Sequence, residues 1–354
     1  MELTELGLDS WFKEKAGETC SPDQKIARVV AVDRGRFTVR DEHGEFPAKV
    51  TGKIIYSADS TVDFPCVGDW VCVQSRESED FATIHAILER KSLLRRKTAG
   101  KDIGYQMIAA NIDAAFIIQA CHFDFNVSRL ERYLVMARES HIEPLLVLTK
   151  TDLVTPDELE QMIAAIRAAG VRARIIAVSN VTGAGIDQIR QAMNAGETYC
   201  LLGSSGVGKT TLINQLLGHD ALKTSTVSDT GEGRHTTVRR QLIFLEQGAM
   251  LIDTPGMREL GIIDAEEGIE ESFEDIQELA LHCRFADCRH ISEPGCAVLT
   301  AIENGTLDAK HYRNYLKLRS ESEFNEKSYA EKRKKDKTFG RLIQSVKKQK
   351  GKRS

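Results

Sequence analysis

Gly203-Ser204-Ser205-Gly206-Val207-Gly208-Lys209-Thr210 has the spacing G-x-x-x-x-G-K-[ST], and each residue type in it has a task in holding phosphate. Glycines let successive backbone amides turn inward around phosphate oxygens. A helix opening from the loop adds unpaired N–H groups and a positive dipole end. Lys209 is placed to reach the β- and γ-phosphates, and the Thr210 hydroxyl to coordinate Mg²⁺. Gly203 to Thr211 are therefore the candidate phosphate-binding residues.

Two further stretches suit a purine base. Thr149-Lys150-Thr151-Asp152 follows an apolar run, and strand ends are where α/β sheets bind ligands. An aspartate at position 152 can accept hydrogen bonds from N1–H and the 2-amino group of guanine. Adenine offers an acceptor at N1, so such a site rejects it. Lys150 can cover the base plane with its aliphatic stem. Ser179-Asn180-Val181-Thr182-Gly183 closes the pocket, a backbone amide there meeting the guanine 6-oxygen. Asp253-Thr254-Pro255-Gly256 supplies a carboxylate to the Mg²⁺ shell and the Gly256 amide to the γ-phosphate. Gly233-Arg234-His235-Thr236-Thr237 fits a first switch, with Thr236 or Thr237 as the second hydroxyl on Mg²⁺. Many GTPases carry Gln just after the Asp-x-x-Gly motif to orient the attacking water. Here that residue is Met257, so slow intrinsic turnover is expected, and His235 is the candidate to position the water. The order of the motifs is unusual: base recognition precedes the phosphate loop, a circularly permuted arrangement.

Cys283, Cys288, His290 and Cys296 form C-x-x-x-x-C-x-H-x-x-x-x-x-C. Three thiolates and one imidazole make a closed tetrahedral set for a structural Zn²⁺, which stabilises a module too small to fold on its own core.

Elements must place these groups. Residues 25–92 read as five short strands, at Ile26 to Val32, Phe37 to Arg40, Phe46 to Val50, Trp70 to Gln74 and Thr83 to Leu88, the pattern of a small barrel such as the OB-fold. OB-folds commonly bind single-stranded nucleic acid. Residues 1–24 are a polar lead-in with an amphipathic patch at Leu6 to Phe12, and Ser92 to Lys101 is a basic connector. Near-continuous apolar strands at 114–118, 144–148, 174–178 and 198–202 then alternate with helices at 127–140, 159–169 and 186–193. That pattern predicts a mostly parallel sheet covered on both faces. Two more strands follow at 241–245 and 250–252, and helices at 269–281 and 309–318 surround the cysteine cluster. The expected division is a lead-in at 1–24, an OB-fold at 25–92, an α/β permuted P-loop GTPase at 93–262, a helical zinc-binding domain at 263–326 and a basic tail at 327–354.

With 354 residues, 42% hydrophobic and 28% charged, the chain can bury a sizeable core. Its acidic N-terminus is not a signal peptide, and no apolar run reaches the roughly 20 residues of a membrane span. A cytoplasmic protein is expected, with Cys20, Cys66, Cys72, Cys121 and Cys200 packing as small hydrophobes and not as disulfides. Net charge is −4, yet residues 327–354 hold 12 Lys/Arg against Glu331 and Asp336. That segregation suggests an anionic partner, nucleic acid first. Two rival activities use the same phosphate loop: a metabolic phosphotransferase, for which no acceptor pocket or catalytic base is legible, and a non-enzymatic nucleic-acid regulator.

On its motif order, phosphate loop, switch motifs and cysteine cluster, the chain resembles the circularly permuted GTPases of the ribosome small subunit-dependent GTPase A (RsgA) family over roughly residues 25–320. Thr149 stands where GTPases at large carry Asn, and Asn180 where Ala is usual. The resemblance implies a monomeric GTP hydrolase that uses Mg²⁺ and carries one structural Zn²⁺. It also implies binding to the small ribosomal subunit and its 16S rRNA, late maturation of that particle, and hydrolysis coupled to release.

Overall fold

The computed structural model describes residues 1–33, 35–58, 60–74, 81–97, 105–123, 125–218, 240–252 and 265–326. Helix α1 (Ser10–Thr19) starts at Asp9, whose carboxylate accepts the Phe12 amide at 3.0 Å. Strands β1 (Lys25–Asp33), β2 (Arg36–Arg40) and β3 (Glu45–Val50) follow, then α2 (Gly52–Ser57), β4 (Trp70–Gln74) and β5 (Ala82–Ile87). Their order is β1-β2-β3-β5-β4, and β1 also pairs with β4, so the sheet closes into a five-stranded barrel. Ala27, Val29, Phe37, Val39, Val71, Val73 and Ile84 are among the side chains filling it. Successive side chains on a strand face opposite ways, so an alternating sequence supplies this interior.

The first part of the stretch read as a connector is a paired element. β6 (Leu93–Lys97) runs antiparallel to β7 (Tyr105–Ala110). The run Arg95-Arg96-Lys97 masked the strand; Leu94, fully buried, fastens it. The α/β body comprises β8 (Ala114–Ala120), α3 (Val127–Glu139), β9 (Glu143–Thr149), α4 (Pro156–Ala168), β10 (Ile175–Ala177), α5 (Ile186–Gln191), β11 (Thr198–Leu202), α6 (Lys209–Leu217), β12 (Arg240–Phe244) and β13 (Met250–Ile252). Its sheet runs β10-β9-β8-β11-β13-β12, parallel except for the β12–β13 pair. On β8, Ala115 and Ile117 join one core and Phe116 and Ile118 another. Both faces are thus covered, which is why the strands read as unbroken apolar runs.

β1 belongs to both sheets. Its first residues, Lys25 to Arg28, pair with β4. A bulge between Val29 and Ala31 turns the strand, as an extra residue does, and Ala31 and Val32 then pair with Gln241 and Arg240 of β12. Arg40 of β2 stacks on Phe244 of β12 at 4.7 Å.

The C-terminal module contains α7 (Glu266–Ser272), α8 (Glu274–Ala280), α9 (Ala297–Glu303) and a helix over 309–326. The helix expected at 269–281 is broken at Phe273, whose φ of −123° leaves the helical range while its ring is fully buried. The module packs on α3. Gly268 abuts α3 so closely that a Cβ there would lie 2.3 Å from the Val135 carbonyl oxygen. Arg132 makes two hydrogen bonds with Glu321, at 2.8 and 2.6 Å. The imidazole of His311 lies between Glu131 of α3 and Asp275 of α8, bonding the first through Nδ1 and the second through Nε2 at 3.1 Å. Burial works to lower the His311 pKa, but its hydrogen bonds to the Asp275 and Glu131 carboxylates outweigh it and raise the value to about 9.

Cys20 and Cys72 depart from the expectation of free thiols: they form a disulfide with Cα atoms 5.4 Å apart. The cluster of Leu6, Leu8, Phe12, Ala16, Trp70 and Leu88 docks α1 on β4 and brings together two cysteines 52 residues apart. Spacing alone could not show that meeting. Cys66, Cys121 and Cys200 are buried free thiols. Among the described residues no helix is long and apolar enough to cross a membrane.

Candidate functional site

β8, β9 and β11 are parallel neighbours, so their C-terminal ends share one edge of the sheet. β9 delivers Thr149 to that edge, and β11 delivers Gly203. The phosphate loop then turns into α6, with Gly208 as its left-handed N-cap (φ +99°). Gly203 has φ +152°, and a Cβ there would sit 2.4 Å from the Ile118 carbonyl oxygen; only glycine fits. Val207 is buried in the core beneath the loop. The Lys209 ammonium folds over the loop and donates to the carbonyls of Gly203 and Ser204, both at 2.6 Å. Thr210 and Thr211 lie in the first turn of α6.

Loops separated from this one in sequence are bonded to it. Thr149, fully buried, donates its hydroxyl to the Val207 carbonyl at 2.6 Å. Asn180 donates from Nδ2 to the next carbonyl, Gly208, at 3.2 Å. Ser179, 1% exposed, donates its hydroxyl to Asp152 Oδ1 at 2.6 Å and accepts the amides of Val181 and Thr182. The exposed Asp152 carboxylate is thereby oriented from the neighbouring loop. Lys150 has φ +59°, an uncommon left-handed conformation for a residue with a Cβ, at the start of the turn Thr151–Leu153. Thr149 stands where GTPases at large carry Asn, and its hydroxyl joins the Asp152 segment to the phosphate loop. Gly233 to Thr237, with His235, Thr236 and Thr237, lie outside the described residues, as do Asp253 to Gly256, Met257 and the tail 327–354.

The cysteine cluster is assembled. One ligand atom from each of Cys283, Cys288, His290 and Cys296 lies within 4.8 Å of the others. Cys283 Sγ and Cys296 Sγ are 3.8 Å apart, and His290 Nδ1 is 3.6 and 3.5 Å from them. Burial, with Arg319 nearby, holds His290 below its ordinary pKa, which keeps the imidazole neutral and fit to be a ligand. His290 sits at φ +63°, and its carbonyl accepts the Tyr312 hydroxyl. This donor set can hold a metal ion.

A residue the motifs did not single out joins the two sheets. Arg28 of β1 is 2% exposed. Its Nε donates to the Gly68 carbonyl at 3.2 Å. Nη2 donates to the Asn111 carbonyl at 3.1 Å and to Thr198 Oγ1 at 2.8 Å, and Nη1 to the Leu6 carbonyl and Met250 Sδ. Burial lowers its pKa to about 10, against the longer-range pull of Asp113 and Asp69, so it remains a cation at neutral pH.

Residues 87–263 match the family of RsgA GTPases. The small ribosomal subunit biogenesis GTPase RsgA 2 of Vibrio vulnificus is 40% identical over 345 residues, 97% of this chain and 95% of that one. RsgA 1 of Bacteroides thetaiotaomicron is 41% identical over 355 residues, covering 99% and 98%. The crystal structure of YjeQ from Thermotoga maritima superposes with a TM-score of 0.63 at 27% identity, over 83% of this chain and 97% of that one. The fold also resembles that of YloQ, a circularly permuted GTPase, with a TM-score of 0.60 at 24% identity, over 86% and 96%.

Proposed function

The chain belongs to the RsgA GTPase family, and on that footing we propose that it hydrolyses GTP while bound to the small ribosomal subunit, assisting late maturation and leaving as hydrolysis proceeds. It acts as a cytoplasmic monomer in contact with 16S rRNA. Gly203 to Thr211 hold the phosphates; Thr149 to Asp152 with Ser179 and Asn180 hold guanine. Thr210, Thr236, Thr237 and Asp253 serve Mg²⁺, and Gly256 meets the γ-phosphate. The observation that carries the reading is the pair of side-chain bonds from Thr149 and Asn180 to successive phosphate-loop carbonyls. These bonds bring segments whose order in the chain is reversed against the phosphate loop, which supports reading them as one nucleotide site.

The test is phosphate release on adding purified small or large subunits. Small subunits are expected to raise turnover and large ones not to; equal rates with both would overturn the ribosomal reading. His235→Ala should keep GTP binding and particle association but lose most of the stimulated rate. A fully stimulated variant would exclude His235 as the group that positions water. Lys209→Ala serves as the control that loses phosphate binding and hydrolysis together.

The four-residue cluster is proposed to hold one structural Zn²⁺. Bond lengths of about 2.3 Å to sulfur and 2.1 Å to nitrogen imply tetrahedral edges of about 3.8 Å between sulfurs and about 3.6 Å from sulfur to nitrogen. The three separations among Cys283, His290 and Cys296 are 3.8, 3.6 and 3.5 Å, and the Cys288 thiol lies within 4.8 Å of each of them. Metal analysis should give about one zinc per chain, and zinc-free protein with an intact C-terminal module would remove the assignment.

A further inference from the structure

Arg28 is costly to bury. A cation removed from water needs compensation, and among the described residues it forms no ion pair. Its compensation is five hydrogen bonds reaching four parts of the molecule: the lead-in at Leu6, the barrel at Gly68, the turn after β7 at Asn111, and the α/β sheet at Thr198 and Met250. Trp70 of β4 adds its ring face at 5.5 Å.

The two acceptors in the α/β sheet are paired with each other. Thr198 is the first residue of β11 and Met250 the first of β13, and they are register partners. The far end of β11 leads into Gly203. At about 3.3 Å per residue, Arg28 holds β11 roughly 16 Å from Gly203, the first residue of the phosphate loop. The same strand β1, past its bulge, pairs with β12. One barrel strand therefore fixes β12 directly and the roots of β11 and β13 through a single side chain.

We infer that Arg28 is a positioning residue for the GTP site: from the barrel it sets the placement of β11 and β13, and with them the phosphate loop against the Asp152 loop. The guanidinium fork is what the task requires, since a lysine carries the charge but cannot span acceptors in four segments at once. Thr198 is also held by Asp113, whose carboxylate accepts the Thr198 amide at 2.7 Å and whose amide donates to the Thr198 carbonyl at 2.8 Å. Replacing the threonine hydroxyl thus removes the Arg28 link without unfastening the strand.

The experiment compares GDP and GTP affinity, binding stoichiometry and melting temperature for Arg28→Lys, Thr198→Val, Thr198→Ser and Arg90→Lys. Arg90, just after β5, is a control: it bonds Asp69 and the carbonyls of Val62 and Phe64 and touches neither β11 nor β13 in those contacts. Arg28→Lys and Thr198→Val should each weaken nucleotide binding about tenfold at full stoichiometry. Their double variant should be little worse than Arg28→Lys, and Thr198→Ser should bind like the wild type. Arg90→Lys should lower the melting temperature and leave affinity unchanged. Unchanged affinity in Thr198→Val, or an equal loss in Arg90→Lys, would overturn the inference. The Thr198 arm decides the matter even where Arg28→Lys fails to fold.

Discussion

Single side chains divide the nucleotide site into parts that motif spacing reveals and parts it does not. Asp152 and Lys209 stand in short strings whose chemistry suggests the tasks proposed for them. Ser179 bonds Asp152, while Thr149 and Asn180 bond the Val207 and Gly208 carbonyls of the phosphate loop, and these bonds cross 27, 58 and 28 positions of chain. Arg28 was hidden for another reason: a lone arginine in the apolar run Ile26 to Val32 looks like the water-facing member of a half-buried strand. Asp152 admits a sharp test. With one carboxylate oxygen bonded to Ser179, a donor-rich guanine edge is the matched partner. Asp152→Asn should lose about 100-fold in GTP affinity and gain xanthosine triphosphate, whose 2-oxo group accepts from an amide. Competition binding with both nucleotides measures this, and unaltered GTP affinity would displace the base from Asp152.

Elements carry the next level. The five barrel strands and the parallel strands were legible because period-two alternation and unbroken apolar runs are what half-buried and fully buried strands require. β6 was not, since its basic residues matched a linker. The docking of the C-terminal helix also escaped: His311 and Glu131 lie 180 positions apart. This contact predicts a pH dependence. The folded His311 value, about 9, lies above the roughly 6.5 of an unfolded histidine. Its contribution is therefore complete below about pH 6.5 and is lost as pH rises through 9. After allowance for partial screening the amount is about 2 kcal/mol. Denaturant midpoints measured from pH 6.5 to 9.5 should fall in the wild type, and His311→Gln should flatten that fall. A parallel decline in both would assign it to other groups.

At the scale of the molecule, what the sequence could not convey is that barrel and GTPase share a sheet. Each module has its own period and its own turns. The junction depends on two residue pairs, Ala31 with Gln241 and Val32 with Arg240, and on a one-residue irregularity in β1. The C-terminal module is likewise fused to the body, its Ile276, Val298, Tyr312 and Leu318 lying in one core with Leu134 and Val135 of α3. Ala265, the first described residue after 264, is tied to Ser322 through its amide at 3.0 Å, while Ile252 ends a buried strand.

The shared strand has one more effect. Among the described strands, β12 without β1 would be outermost, with a row of unpaired amides and carbonyls, the surface on which a second chain most readily adds itself. The contact that joins the barrel to the GTPase also shields that row from other chains. Trimming the N-terminal region would remove a module and at the same time leave the remainder adhesive.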